Sequence, residues 1–251
     1  MADLFREEET VDDLLGGTLK IFQKKKGYRF SLDALLLSQF VKLKSGDQIL
    51  DMGAGAGVIA LILAKRGDCG KVTGMDIQEE MVEMATRSAR LNKLDDRVVF
   101  LPGDVKEIAA VMKSQSFDAV VFNPPYRKLH SGRINPDDRK ATARHEIRGS
   151  LGDFLAAARH VLKAGGRVFI IYPATRMVEL LCRMRAERLE PKRVRLVHSD
   201  CISGGEFVLA EGVKGGGEEL EVMAPLLIYG PDGEYTAAMK DIFRELSSNT
   251  S

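Results

Sequence analysis

The chain has 251 residues, 45% hydrophobic and 29% charged, the proportions of a globular protein with enough length for a sizeable core. Its 37 Lys and Arg against 36 Asp and Glu leave a formal net charge of +1, which gives no bulk bias toward nucleic acid. No apolar run approaches the ~18 residues of a membrane span, the acidic start MADLFREEETVDD has no apolar signal region, and Cys69, Cys182 and Cys201 are too scattered for a zinc quartet or a disulfide framework. The expectation is a reduced, cytoplasmic, single-domain protein with no metal site and no membrane partner. Its oligomeric state, monomer or homodimer, stays open.

In chain order, Met1–Gly27 reads as an arm, 28–246 as the domain and Ser247–Ser251 as a frayed tail. Gln48–Gly53 is a buried strand running into a Gly-rich turn, and Val58–Arg66 a helix. Lys71–Ile77 is a second strand, Glu79–Asn92 an amphipathic helix, Val98–Leu101 a third strand and Val105–Lys113 a short helix. Phe117–Phe122 is a fourth strand, followed by a polar stretch and a helix at Leu151–Leu162. Lys163–Arg167 is a turn before the fifth strand, Val168–Tyr172. A helix at Thr175–Arg188 precedes two further strands, Arg193–His198 and Phe207–Gly212. Strands that are apolar throughout, alternating with helices, predict a parallel sheet covered on both faces, with the last strand antiparallel.

Charge is unevenly placed. The first 13 residues carry six acids and one base, while Arg127–Arg148 and Arg183–Arg195 are each net +4. Two basic segments on a neutral chain offer a phosphate-binding face, or simply a solvated helix and loop. The long stretch Arg127–Ser150 exceeds an ordinary connection, and such loops are commonly functional.

The turn after the first strand reads Asp51-Met-Gly53-Ala-Gly55-Ala-Gly57. Glycine at every second position permits a tight turn and close approach of a ligand. Val58 stands where a dinucleotide fingerprint has its third glycine. A carboxylate at Asp51 repels a pyrophosphate and suits a cation. S-adenosylmethionine, with a sulfonium, an ammonium, a ribose and no phosphate, fits both features. Asp76 ends the second strand, where a carboxylate accepts both ribose hydroxyls, and Asp104 follows the third. Ordinary turns with N-capping aspartates are the plainer alternative.

Asn123-Pro124-Pro125-Tyr126 directly follows the fourth strand. The prolines end the strand and fix the direction of the Pro124 carbonyl. That carbonyl and the Asn123 side-chain oxygen are two acceptors for one NH2 group. Adenine's exocyclic amine is a poor nucleophile because its lone pair is delocalised. Accepting both N–H bonds favours a pyramidal nitrogen, which is transition-state stabilisation by preorganised dipoles. Tyr126 offers a face for an unpaired base, worth roughly 1–3 kcal/mol. No general base is required, since the methylated amine loses its proton to water; His130 is a candidate only by proximity, and His145 reads as structural.

These motifs resemble the N6-adenine branch of the class I methyltransferases. More closely, they resemble the bacterial tRNA (adenine-N6) methyltransferases that modify the adenine beside the anticodon of a valine tRNA. The resemblance rests on Tyr28–Ala34 (YRFSLDA), Ile49–Gly57, Met75–Glu80, Phe122–Tyr126, Ala143–Glu146 (ARHE) and Tyr235–Thr236. It implies a Rossmann-like α/β fold with a mostly parallel seven-stranded sheet, helices on both faces and an antiparallel last strand. It places Ser31 and Asp33 at the methionine end of the cofactor, with Asp51, Gly53, Gly55 and Gly57 along its methionyl and ribose portions. Asp76 would hold the ribose, Ile77 the adenine face, Asp104 and Val105 the adenine edge, and Asn123 would adjoin both substrates. The basic residues Arg127, Lys128, Arg133, Arg139, Lys140, Arg144 and Arg148 would meet tRNA. The chain departs from the pattern at Ala56, where many relatives have Thr or Cys, and in a polar insert from Arg133 to Arg139.

Three rivals share parts of this pattern. A release-factor glutamine N5-methyltransferase presents the same NH2 chemistry, but only about 47 residues precede the first strand, too few for its helical domain. A DNA adenine methyltransferase needs a recognition domain for which no segment is large enough. A catalytically inactive module that binds cofactor and RNA is opposed by the intact Asn123 and Asp76.

Overall fold

The computed structural model describes residues 6–25, 32–124 and 149–248. It begins with an antiparallel hairpin, β1 (Glu9–Leu14) and β2 (Leu19–Lys24), whose turn uses positive φ at Leu15, Gly16 and Gly17. Then follow α1 (Leu32–Phe40), β3 (Ile49–Met52), α2 (Val58–Arg66), β4 (Val72–Asp76), α3 (Glu79–Leu91) and β5 (Val98–Pro102). A 3-10 turn at Val105–Glu107 leads into the one-turn α4 (Ile108–Val111) and β6 (Phe117–Phe122). After the basic stretch come α5 (Leu151–Val161), β7 (Leu162–Pro173) and, past another 3-10 turn at Ala174–Arg176, α6 (Met177–Ala186). The chain closes with β8 (Leu189–His198), β9 (Gly205–Lys214), the two-residue strands β10 (Glu221–Val222) and β11 (Leu226–Leu227), and α7 (Ala237–Ser248).

Local chemistry accounts for these elements. In α2 every residue from Val58 to Ala64 is buried, and the helix is closed by Gly67 in the left-handed region with Lys65 and Arg66 in its last turn. α3 carries Glu79 and Glu80 at its positive end and Arg90 at its negative end. α5 starts on a capping box between Ser150 and Asp153.

The main sheet runs β10-β8-β9-β7-β6-β3-β4-β5, with β11 also on β8. β5, β4, β3, β6 and β7 are mutually parallel, and β9 alone runs against its neighbours β7 and β8. This is the expected α/β Rossmann-like plan, and the expected seven strands gain the two short ones beyond β8. Side chains alternate between two cores. Ile49, Val121 and Phe169 join α1, α2, α3 and α7 on one face, while Leu50, Met52, Val120 and Phe122 join α4, α5 and α6 on the other.

Several expectations need correction. The segment read as an arm holds the β1–β2 hairpin, which packs on α3. Leu19, Ile21 and Phe22 are buried there, and the Phe22 N–H donates to Ser88 Oγ at 3.0 Å. The buried Arg87 guanidinium bonds Glu9 at 2.6 and 2.7 Å and lies over the Phe22 ring. The tail is shorter than expected, since Ser247 and Ser248 belong to α7. The turn at Lys163–Arg167 lies inside β7. Gly165 adopts φ +72°, and the pairing with β6 jumps from Phe117–Leu162 to Ala119–Arg167, so extra residues bulge without ending the strand. The helix expected at Thr175–Arg188 opens with a 3-10 turn and ends at Ala186. The one expected at Val105–Lys113 is a 3-10 turn plus a single α turn.

Candidate functional site

The chain travels outward from β3 to β4 and β5, then crosses back to β6 on the other side of β3. Neighbouring connections therefore diverge at the carboxyl ends of β3 and β6, leaving a crevice where open α/β sheets take ligands. Asp51 and the Gly53 turn stand at one lip, and Asn123 at the other.

The turn is fastened to β4. The Gly53 and Ala54 N–H groups both donate to the Met75 carbonyl, at 2.8 and 2.9 Å. Gly53, Gly55 and Gly57 have φ of +72°, +54° and +83°, a region that favours glycine. A Cβ on Gly57 would come within 2.6 Å of the Phe100 ring, whereas one on Gly55 would meet nothing within 4 Å. Gly57 thus serves packing, and Gly55 leaves open space for a ligand.

Asp76 joins the turn to its own strand. Its Oδ2 accepts from the Gly55 N–H at 2.8 Å and its Oδ1 from the Gln78 N–H at 2.9 Å. Ile77 next to it keeps 37% of its surface exposed, an apolar side chain left open. Asp104 is an N-cap, accepting from the Lys106 N–H at 2.9 Å. Val105 is buried in the core with α5.

Asp51 is 1% exposed. Its Oδ2 accepts from the Ala60 N–H at 3.1 Å, and its Oδ1 has no hydrogen-bond partner among the described residues. Burial raises its pKa to about 7; the Ala60 bond opposes the rise and the nearby Asp76 charge adds to it. A buried carboxylate with one oxygen left unpartnered among the described residues fits a cationic ligand.

At the other lip, the Asn123 Nδ2 donates to Asp33 Oδ2 at 2.8 Å. Asn123 Oδ1 is buried, with no hydrogen-bond partner among the described residues. An acceptor is therefore held ready at the end of β6. Among the described residues no three His, Cys, Asp or Glu side chains gather as a metal site.

Residues 43–222 match the family model described as a methyltransferase domain. A curated relative from Porphyromonas gingivalis (strain ATCC BAA-308 / W83), named tRNA1(Val) (adenine(37)-N6)-methyltransferase, is 31% identical over 68% of this chain and 69% of its own length. The chain belongs to the family of S-adenosylmethionine-dependent tRNA (adenine-N6)-methyltransferases. A relative of the same name from Actinobacillus pleuropneumoniae serotype 7 (strain AP76) is 25% identical over 91% of this chain and 94% of its own length. The match spans only 57% of the relative from Dyadobacter fermentans. In fold, the methyltransferase is similar to the crystal structure of a predicted O-methyltransferase from Agrobacterium tumefaciens, with a TM-score of 0.71 over 86% of this chain and 97% of that one at 24% identity.

The structure gathers Asp33, Asp51, Gly53, Gly55, Gly57, Asp76 and Asn123 around the crevice of the methyltransferase, with Ile77 and Asp104 beyond Asp76. Ser31, Pro125, Tyr126 and the basic residues Arg127, Lys128, Arg133, Arg139, Lys140, Arg144 and Arg148 lie outside the described residues, as do His130 and His145. Five of the six bases in the second basic segment bond other groups of the chain, with Arg183 and Arg185 remaining half-exposed. Arg193 is buried against Glu211 at 2.7 Å, Arg185 bonds Glu190 at 3.1 Å and Glu218 at 3.3 Å, and Arg183 bonds Glu179 at 3.2 Å. Lys192 donates to the Gly217 and Glu218 carbonyls and Arg195 to that of Ala224. These internal partners oppose its reading as a phosphate face. The Asp33–Asn123 bond joins two motifs that the sequence showed separately and gave no reason to connect.

Proposed function

We propose that this methyltransferase methylates the exocyclic N6 of the adenine beside the anticodon of a valine tRNA. The observation that carries the reading is the buried Asn123 oxygen, unpartnered among the described residues, at the lip opposite Asp51. The names of the curated relatives support the acceptor.

Bound S-adenosylmethionine supplies an electrophilic methyl group. Asp51, Gly53, Gly55 and Gly57 hold its methionyl and ribose portions, with Ser31 and Asp33 at the methionine end. Asp76 accepts from the ribose hydroxyls with its remaining lone pairs. Ile77 covers the adenine, and Asp104 and the main chain of Val105, whose side chain is buried in the core, border it. Asn123 Oδ1 and the Pro124 carbonyl accept the two N–H bonds of the acceptor amine. The amine lone pair then leaves conjugation with the ring and becomes available to the methyl. Proximity within the crevice contributes the orientation. The proton lost from nitrogen passes to water. Tyr126 stacks on the base, and the fixed φ of Pro125 precedes it in the motif. Arg127, Lys128, Arg133, Arg139, Lys140, Arg144 and Arg148 engage phosphates. The enzyme works in the cytoplasm with tRNA as its partner; no helix among the described residues is long and apolar enough to cross a membrane.

Transfer of labelled methyl to unmodified bulk tRNA, followed by nucleoside analysis, tests the reading. N6-methyladenosine in a valine tRNA is the expected product. Label in a release-factor glutamine, with none in tRNA, overturns the acceptor and leaves the cofactor site intact.

A further inference from the structure

We propose that Asp33 is a positioning residue that dictates which end of the Asn123 amide faces the acceptor amine. The inference rests on the reading in which Asn123 Oδ1 accepts from that amine.

A primary amide is almost symmetric in shape and opposite in function at its two ends. One end accepts hydrogen bonds and the other donates two. Turned the wrong way, Asn123 would aim N–H donors at the N–H bonds of the substrate, and the amine would be repelled. The strand alone does not choose, because a half-turn about the last side-chain bond exchanges oxygen and nitrogen with little change in shape. The choice must come from a neighbour that tolerates one end only.

Asp33 is such a neighbour. A carboxylate offers only acceptors, so it takes the NH2 end and rejects the oxygen. The bond from Asn123 Nδ2 to Asp33 Oδ2 is 2.8 Å. The amide oxygen is left buried and, among the described residues, unpartnered. Serine or asparagine at position 33 could bond either end and would lose this discrimination.

The carboxylate is itself firmly set. Asp33 lies in the first turn of α1 and is 3% exposed, and its Oδ1 accepts from the Ala34 N–H at 3.1 Å. α1 is seated in the core through Leu36, Leu37 and Phe40. The amide is thus oriented from a helix that precedes the whole sheet, 90 residues earlier in the chain.

A reciprocal exchange tests this. Asp33→Asn should lower kcat by about 10- to 100-fold with the KM for tRNA unchanged, because the lost interaction acts on the transition state. Asn123→Asp should also lower it, since two carboxylates at that distance cannot both ionise freely. The double variant Asp33→Asn with Asn123→Asp restores one donor, one acceptor-only partner and the charge of the pair. Its kcat should return to within about tenfold of the parent enzyme. An Asp33→Asn enzyme with undiminished kcat overturns the proposal, as does a double variant no faster than the slower single one. Asn123→Ala separates the two levels: loss of turnover there alongside an unaffected Asp33→Asn removes only the positioning role, whereas undiminished turnover in Asn123→Ala removes the underlying reading as well.

Discussion

The two lips of the crevice are built on opposite principles. The Asp51–Gly57 lip is held by main-chain bonds from Gly53 and Ala54 to Met75, by the Asp76 bond to Gly55, and by Phe100 filling the space beside Gly57. The Asn123 side chain has one bond to a described residue, the carboxylate of Asp33 on a separate helix. A lip made from backbone belongs to the fold, so damage there appears first as lost stability. A lip that depends on a side-chain bond can lose chemistry while the fold persists.

Three experiments press on this contrast and a fourth on the two basic segments, taken from the largest effect downward. Asn123→Ala should reduce single-turnover methyl transfer by about 10²- to 10³-fold, with the melting temperature and cofactor affinity close to the parent values. A matching fall in stability would erase the distinction. Gly57→Ala should cost about 3 kcal/mol in urea unfolding, because it combines a left-handed φ with a Cβ that meets Phe100 and Ala85. A cost below about 1 kcal/mol would show the turn to be pliable.

Asp51→Asn probes the same lip through pH. The folded pKa of Asp51 is raised from 3.8 to about 7, so between those values the folded state keeps a proton that the unfolded chain has lost. The contribution of this group to stability is fully present below about pH 3.8 and is lost as pH rises through about 7. Asp51→Asn should remove a decline of about 2 kcal/mol between pH 5 and pH 8, seen as flatter unfolding midpoints for the ligand-free protein. A parallel decline in both proteins would place the titration elsewhere. The smallest structural perturbation concerns the two basic segments. Arg144→Ala with Arg148→Ala should weaken tRNA binding and lower its salt slope by about 1 to 2. Arg185→Ala, which removes half-exposed pairs with Glu190 and Glu218, should change stability by less than about 0.5 kcal/mol and leave the slope alone. Equal effects on tRNA would dissolve the difference between the segments.

Much of the fold is legible because its signals are local. Val58–Arg66 lies between glycines and is apolar for seven residues, and the helix occupies that span. Phe117–Phe122 is likewise a strand with the bounds its apolar run predicts. The hairpin was hidden because β1 reads ETVDDL. Its three acids suggest solvent, yet Glu9 is neutralised by Arg87 from α3. Lys163–Arg167 has the composition of a turn, and only its pairing with β6 shows a bulged strand. The acids and glycines of the site were readable from their spacing at strand ends. The Asp33–Asn123 bond was not, because nothing local in either motif encodes a partner on the other side of the sheet.

The position of β9 has a consequence for synthesis. It lies between β7 and β8, although both are made before it. As the nascent chain leaves the ribosome, β7 and β8 cannot become neighbours in their final places; a gap one strand wide must stay open between them. Until residues 205–214 arrive, each presents an unpaired edge to solvent. Termination after His198 but before that strand therefore leaves β7 with one unpaired edge and β8 with no partner strand at all, and such fragments should be prime targets for chaperones and proteases.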